Sequence, residues 1–308
     1  MASVTKPGHL DLLDPVTLSR MGNLDLIARQ VVEGMLSGRH RAPYKGFSVE
    51  FAEHREYSPG DETRSIDWRV FAKRDRYYVK EYEQETNLRA YLLVDASGSM
   101  RFAGEAAGDV SKFRYAQMLA ACLAYLLLGQ QDEAGLLTFD TQTRSYIPPR
   151  SRAIHLRAML GELQATEPGG ETALAPVLHD IAERITHRGL VILISDCFDD
   201  PESLRHALHH FRHRRHEVIL LHVTAQEERT FPYRQRTRFR DLERLDRQLV
   251  LDPRGLREAY LERMNAFCLS LESACNELVI DYVPVDTSRP FADTLLWYLS
   301  WRQAKLRW

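Results

Sequence analysis

From about residue 89 onward, short apolar runs alternate with longer stretches of helical periodicity, a rhythm that restricts the chain to a mostly parallel sheet covered by helices. The runs lie at residues 90–94, 134–139, 190–194, 218–222 and 279–285, and the helical stretches at 112–128, 152–163, 174–187, 201–212, 256–276 and 290–305. Right-handed crossovers put helices on both faces, so the expected fold class is α/β with a doubly wound, mostly parallel sheet. In such sheets ligands bind just beyond the carboxyl ends of the strands, which makes the residues that follow each apolar run the first candidates for a site.

Residues 1–88 have a different character and are expected to form a separate unit, an N-terminal helix followed by small antiparallel β structure. The helix is carried by Leu24, Leu26, Ile27, Val31, Val32, Met35 and Leu36 and stops near Gly38. Aromatic-rich stretches at 47–51, 66–71 and 77–82 follow, the first two separated by the turn signal Ser58-Pro59-Gly60-Asp61. Residues 89–308 then form the α/β domain. A hairpin is inserted around 226–252, where Arg234, Arg236, Arg238 and Arg240 alternate with Gln235, Thr237 and Phe239. In a strand those guanidiniums share one face. They are either a solvated surface or a docking surface for an acidic or phosphate-rich partner.

A net charge of -2 over 308 residues creates no long-range field, so bulk attraction to nucleic acid or an anionic membrane is not indicated. The longest apolar run, 119–128, is too short to span a bilayer, and the N-terminus lacks the pattern of a signal peptide. The four cysteines, Cys122, Cys197, Cys268 and Cys275, include no CxxC pair and read as reduced core residues, which points to a cytoplasmic protein. The histidines of 206–216, with neighbouring arginines, read as a solvated helix end rather than a zinc or nickel site.

The run at 90–94 leads directly into Asp95-Ala96-Ser97-Gly98-Ser99, one carboxylate and two hydroxyls on the loop after a buried strand. An oxygen-only cluster of low charge suits Mg²⁺ (or Mn²⁺) and argues against zinc. Two later segments complete the set. Gly169-Gly170-Glu171-Thr172 precedes the helix at 174–187, and Ser195-Asp196 ends the following strand. A doubly wound sheet brings Asp95, Ser97, Ser99, Thr172 and Asp196 to one edge. Asp199 and Asp200 are expected to cap the helix that starts near Pro201. There is no GxxxxGK[ST] loop, GxSxG elbow or HExxH helix, so ATP hydrolysis and the common hydrolase chemistries are not indicated.

DxSxS, a threonine after GGx and a strand-ending aspartate together resemble the metal-ion-dependent adhesion site of von Willebrand factor A domains. The GGx context selects Thr172 over Thr166. Tyr57-Ser58-Pro59-Gly60-Asp61, Arg64-Ser65-Ile66-Asp67-Trp68, Tyr78-Val79-Lys80-Glu81, Asp281-Tyr282 and Asp286-Thr287-Ser288 extend the resemblance to nearly the whole chain, which looks like the bacterial domain-of-unknown-function family fifty-eight. The resemblance implies a non-enzymatic, metal-dependent binding protein. A partner's Asp or Glu would complete the shell of the ion, and the protein would act with a MoxR-type AAA+ ATPase in maturing or assembling client proteins. The alternatives are a Mg²⁺-dependent hydrolase or phosphotransferase on the same cluster, with Glu171 as base, and a nucleic-acid module using the arginine face.

Overall fold

The computed structural model describes residue 18 and residues 23–38, 51–56, 77–82 and 88–305, apart from 109, 172 and 245. The chain divides into two units, one formed by residues 40–87 and the other by residues 1–39 together with 88–308. Within the smaller unit, β1 (Phe51–Glu56) pairs antiparallel with β2 (Tyr78–Tyr82). Asp61, Arg64, Asp67 and Trp68 lie outside the described residues.

The larger unit is built on a six-stranded sheet of order β10-β7-β6-β3-β4-β5. Its strands are β3 (Arg89–Asp95), β4 (Glu133–Phe139), β5 (Thr143–Arg150), β6 (Leu190–Ser195), β7 (Glu217–Thr224) and β10 (Asp281–Asp286). All pair in parallel except β5, which runs antiparallel along β4 at the edge. This is the doubly wound α/β architecture expected from the alternation. Strand β5 was not among the expected strands, and it contains Pro148 and Pro149. Its edge position accommodates them, since a proline there need forfeit no ladder hydrogen bond.

Side-chain alternation along the strands sorts the core into two layers. Leu92, Val94, Ile192, Ile194, Ile219 and Leu221 face one layer, whereas Leu93, Val191, Leu193 and Leu220 face the other. The first layer is covered by α1 (Leu24–Gly38), α2 (Lys112–Gly129), α3 (Ala153–Ala165) and α8 (Phe291–Lys305), the second by α4 (Leu174–Arg184), α5 (Pro201–His213) and α7 (Arg257–Glu277). Helix α2 holds the longest apolar run in the sequence and is buried on nearly all sides, which accounts for its composition. Among the described residues no helix is long and apolar enough to cross a membrane. All four cysteines are buried and free.

Helix α1 corrects the domain boundary drawn at residue 88. Leu24, Ile27, Ala28, Val31 and Val32 are buried in the same layer as α2, and the Tyr125 hydroxyl donates to Glu33 at 2.9 Å. The helix therefore belongs to the α/β unit and only the residues after it form the β unit. Helical periodicity shows that α1 has an apolar stripe but not which surface covers it. Because Ile27 is fully buried, Ile27→Ala should cost roughly 2–5 kcal/mol. Urea unfolding should show that loss in the single transition of the α/β unit; a separate early transition would detach α1 from this core.

Candidate functional site

From adjacent strands the chain leaves β3 toward α2 on one face of the sheet and β6 toward α5 on the other, so the loops after β3 and β6 open around a common crevice. Four of the five residues expected there converge. Asp95 and Asp196 are buried, Ser97 is buried, and Ser99 on the short 3₁₀ turn Gly98–Arg101 is half-exposed. The Ser97 and Ser99 hydroxyl oxygens lie 3.0 Å apart. Asp95 Oδ1 accepts from the Ser97 amide at 2.9 Å and its Oδ2 from the Ser195 hydroxyl at 2.5 Å. Burial, and then the nearby charge of Asp196, push the Asp95 carboxyl up to about 7. Thr172 lies outside the described residues. Thr166 ends α3, and its hydroxyl donates to the Glu162 carbonyl at 2.8 Å.

Lys112, the first residue of α2, was missed from sequence. Its ammonium is buried, donates to Asp196 Oδ2 at 2.7 Å and to Glu228 Oε1 at 2.6 Å, and packs over the Phe198 ring at 4.7 Å. Burial opposes the charge, but Asp196 and Glu228 more than offset it and hold the lysine pKa above its ordinary value. A lysine at the start of an otherwise mostly apolar helix pattern was the available sequence signal. Behind Asp196, His222 Nε2–H donates to the Asp196 carbonyl at 3.0 Å, so Nδ1 accepts from the Tyr282 hydroxyl at 2.8 Å. Burial lowers the His222 pKa to about 4.

The neighbouring loops are knitted to these residues. The Gly169 amide donates to the Ala96 carbonyl at 2.8 Å and the Gly98 amide to the Gly170 carbonyl at 3.0 Å, with Gly170 at φ +85. Arg144 pairs with Asp140 and donates to the Glu167 and Gly169 carbonyls, while Arg101 donates to that of Pro168. Asp200 caps α5 through the Ser203 amide, as expected. Asp199 does not cap that helix; it accepts from the Ala175 amide at the start of α4, fastening the two helix starts together. Cys197 takes a left-handed backbone (φ 57), held by the hydrogen bond that its amide N–H donates to Ser195 Oγ at 2.9 Å.

The insertion is fastened to the same edge at both ends. It consists of α6 (Gln226–Thr230) and the antiparallel hairpin of β8 (Thr237–Arg240) and β9 (Gln248–Leu251). From α6, Glu228 holds Lys112 and Glu227 accepts from the Ala106 amide at 2.8 Å. At the hairpin turn, Arg244 grips both oxygens of Glu171 at 2.9 and 3.1 Å. A Cβ on Gly98 would stand 2.5 Å from the Leu242 carbonyl oxygen and 2.7 Å from that of Gly170, so only glycine permits the turn to seat on the Ser97–Ser99 loop.

The donor set fits a hard divalent cation. Its atoms are hydroxyl and carboxylate oxygens, and the 3.0 Å hydroxyl separation equals the edge of an octahedron with bonds of about 2.1 Å. Asp196 and Glu228 share one ammonium and the Asp95 carboxyl stands near Asp196 without a cation of its own, so an ion at this edge would meet net negative charge. Among the described residues no group of three or more His, Cys, Asp or Glu side chains could hold a metal, so the hydroxyls are indispensable to a site here. Among the histidines of α5, His210 instead meets His179 of α4 at 3.0 Å.

A doubly wound α/β unit with a DxSxS loop at its topological switch point defines the class of protein. The profile of the family described as "Protein of unknown function DUF58" matches residues 53–266, and the chain belongs to that family. It is 30% identical over 217 residues to an uncharacterized protein of Mycobacterium tuberculosis, covering 69% of this chain and 67% of that protein. Among solved structures, a conserved hypothetical protein, BatB, from Bacteroides thetaiotaomicron is similar with TM-score 0.48 and 18% identity, covering 71% of this chain and 99% of that one. The SpRpn10 VWA domain is similar with TM-score 0.39 and 11% identity, over 68% and 94% of the respective chains.

Lys112→Met would leave Asp196 and Glu228 buried without their counter-charge. It should cost about 3–5 kcal/mol in chelator-treated protein, measured by urea unfolding at neutral pH. The His222 pKa, lowered from 6.5 to about 4, means that the unfolded chain takes up a proton in this window while the folded chain does not. Stability from His222 is complete above pH 6.5 and is lost as the pH falls toward 4. Asp95, raised from 3.8 to about 7, gives the opposite slope, so the wild-type profile must be compared with that of a variant. Between pH 6.5 and 4, His222→Gln should lose less stability than wild type in chelator; parallel profiles would contradict the assignment.

Proposed function

We propose that this protein is a non-enzymatic, metal-dependent protein-binding adaptor. Asp95, Ser97, Ser99, Thr172 and Asp196 hold Mg²⁺ (or Mn²⁺), and a partner protein supplies an Asp or Glu carboxylate to the ion. The observation that carries this reading is the meeting of Asp95, Ser97, Ser99 and Asp196 at the carboxyl ends of β3 and β6. Neutral hydroxyls leave much of the charge of the ion available to an incoming carboxylate, and Ser99 reaches the exposed side of the crevice. The resemblance stated above further implies that the adaptor works with a MoxR-type AAA+ ATPase in maturing or assembling clients.

Hydrolase or phosphotransferase chemistry has less support, because a base is needed near the ion. Glu171, the candidate offered by local sequence, has both carboxylate oxygens bound by Arg244. In this reading the role of the chain is to bind and orient a partner.

Mg²⁺ should raise the Tm of wild-type protein, and Asp95→Ala and Ser97→Ala should abolish that rise. The immobilised protein should retain a partner from native lysate in Mg²⁺ and release it in excess chelator, with Asp95→Ala retaining none. Undiminished retention in chelator would remove the metal from the binding step.

A further inference from the structure

The β8–β9 hairpin has two unlike faces. Cross-strand register pairs Phe239 with Leu249 and Thr237 with Leu251 on one of them. On that side Phe239 and Leu251 line an apolar cavity of about 370 Å³ with Phe231, Leu256 and Tyr260. The other face carries Arg238 and Arg240, opposite Val250 and Gln248, while Arg234 and Arg236 precede the strand on a stretch that bends at Gln235, so of the four arginines expected on one strand face two lie on β8 and two lead into it. All four arginines are exposed.

Their lack of counter-charge separates them from other arginines on the surface. Arg184, Arg205, Arg244 and Arg254 are paired with Asp180, Glu202, Glu171 and Asp252 respectively. Among the described residues, none of Arg234, Arg236, Arg238 and Arg240 forms an ion pair. The outer edge of β8 is also unpaired among the described residues, because this sheet has only two strands. Arg240 stands two residues before Leu242, whose carbonyl rests against Gly98 of the Ser97–Ser99 loop.

We propose that the arginine face of the β8–β9 hairpin is a docking surface for an extended acidic polypeptide segment that runs along β8 toward the metal edge. Alternate residues on β8 repeat roughly every 7 Å, and alternate carboxylates of an extended partner repeat at the same interval. The free edge of β8 adds main-chain hydrogen bonds to such a segment. A carboxylate is the ligand that the candidate ion would accept, so one acidic chain satisfies both surfaces. A nucleic acid fits less well, since the residues beside Arg238 and Arg240 on this face are Val250 and Gln248, with no aromatic ring for a base to stack on. The proposal deepens the metal-dependent binding reading and rests on it for the destination of the segment, but the arginine contact itself needs no metal.

Fluorescence anisotropy of a short labelled peptide alternating Glu and Thr tests it, with the Gln–Thr peptide and a short single-stranded DNA as comparators, each in Mg²⁺ and in chelator. The Glu–Thr peptide should bind wild type in chelator and the Gln–Thr peptide should not. Changing Arg234, Arg236, Arg238 and Arg240 together to Gln should weaken binding roughly tenfold, the order expected for losing four exposed charge pairs. Neutralising the exposed Arg150, Arg152, Arg157 and Arg214 instead should leave it unchanged. Asp95→Ala should keep the chelator-resistant binding and lose only the increment added by Mg²⁺. Absence of that increment with the arginine dependence intact would sink the metal reading and spare this one. Equal binding by the β8 variant, equal binding of the Gln–Thr peptide, or tighter binding of the DNA would overturn the docking proposal.

Discussion

The ammonium of Lys112, enclosed between Asp196 and Glu228, is the contact on which the organisation of this edge depends. Two buried carboxylates from different segments cannot share a low-dielectric pocket without a counter-charge. The lysine supplies it from the first turn of α2, whose remaining length is locked into the apolar core. One side chain therefore couples the central helix, the end of β6 and the root of the insertion. It also sets the charge of the crevice, where Asp95 is left without a cation of its own.

Around that contact the loops are held by main-chain hydrogen bonds and by arginines that grip carbonyls, leaving little freedom at the carboxyl ends of the strands. The left-handed Cys197 and the glycine at 98 are local costs of this arrangement, borne where the chain must turn sharply or pass close to another loop. The insertion is a wall of the candidate site, because its α6 carboxylates bind Ala106 and Lys112 downstream of Ser99, while its turn binds Glu171 and seats against Gly98 between Ser97 and Ser99. What lies on the outer face of that wall therefore bears on what can approach the ion.

Much of the fold was legible from pattern. The strands of Leu92, Ile192 and Leu220 and the helices behind them follow from apolar periodicity, since burial on both faces of a parallel sheet leaves strong local traces. Strand β5 was not among the expected strands, and its prolines obey an edge rule that depends on which strand lies next to it. Asp199 was expected to cap its own helix, and it reaches across to Ala175 instead. Glu171 looked like a free carboxylate until Arg244, distant in sequence, was found to hold it.

The sequence alone determined the class of the sheet, the positions of most strands and the order in which Asp95, Ser97, Ser99 and Asp196 arrive at its edge. Those properties depend on neighbouring residues and on a topology with few alternatives. Tertiary structure decided the remainder: that Lys112 is buried among carboxylates, that α1 belongs to the α/β unit, and that the hairpin turn seats on Gly98. Each depends on a contact between segments far apart in the chain, where local periodicity carries no information and only the packed geometry fixes which charge meets which.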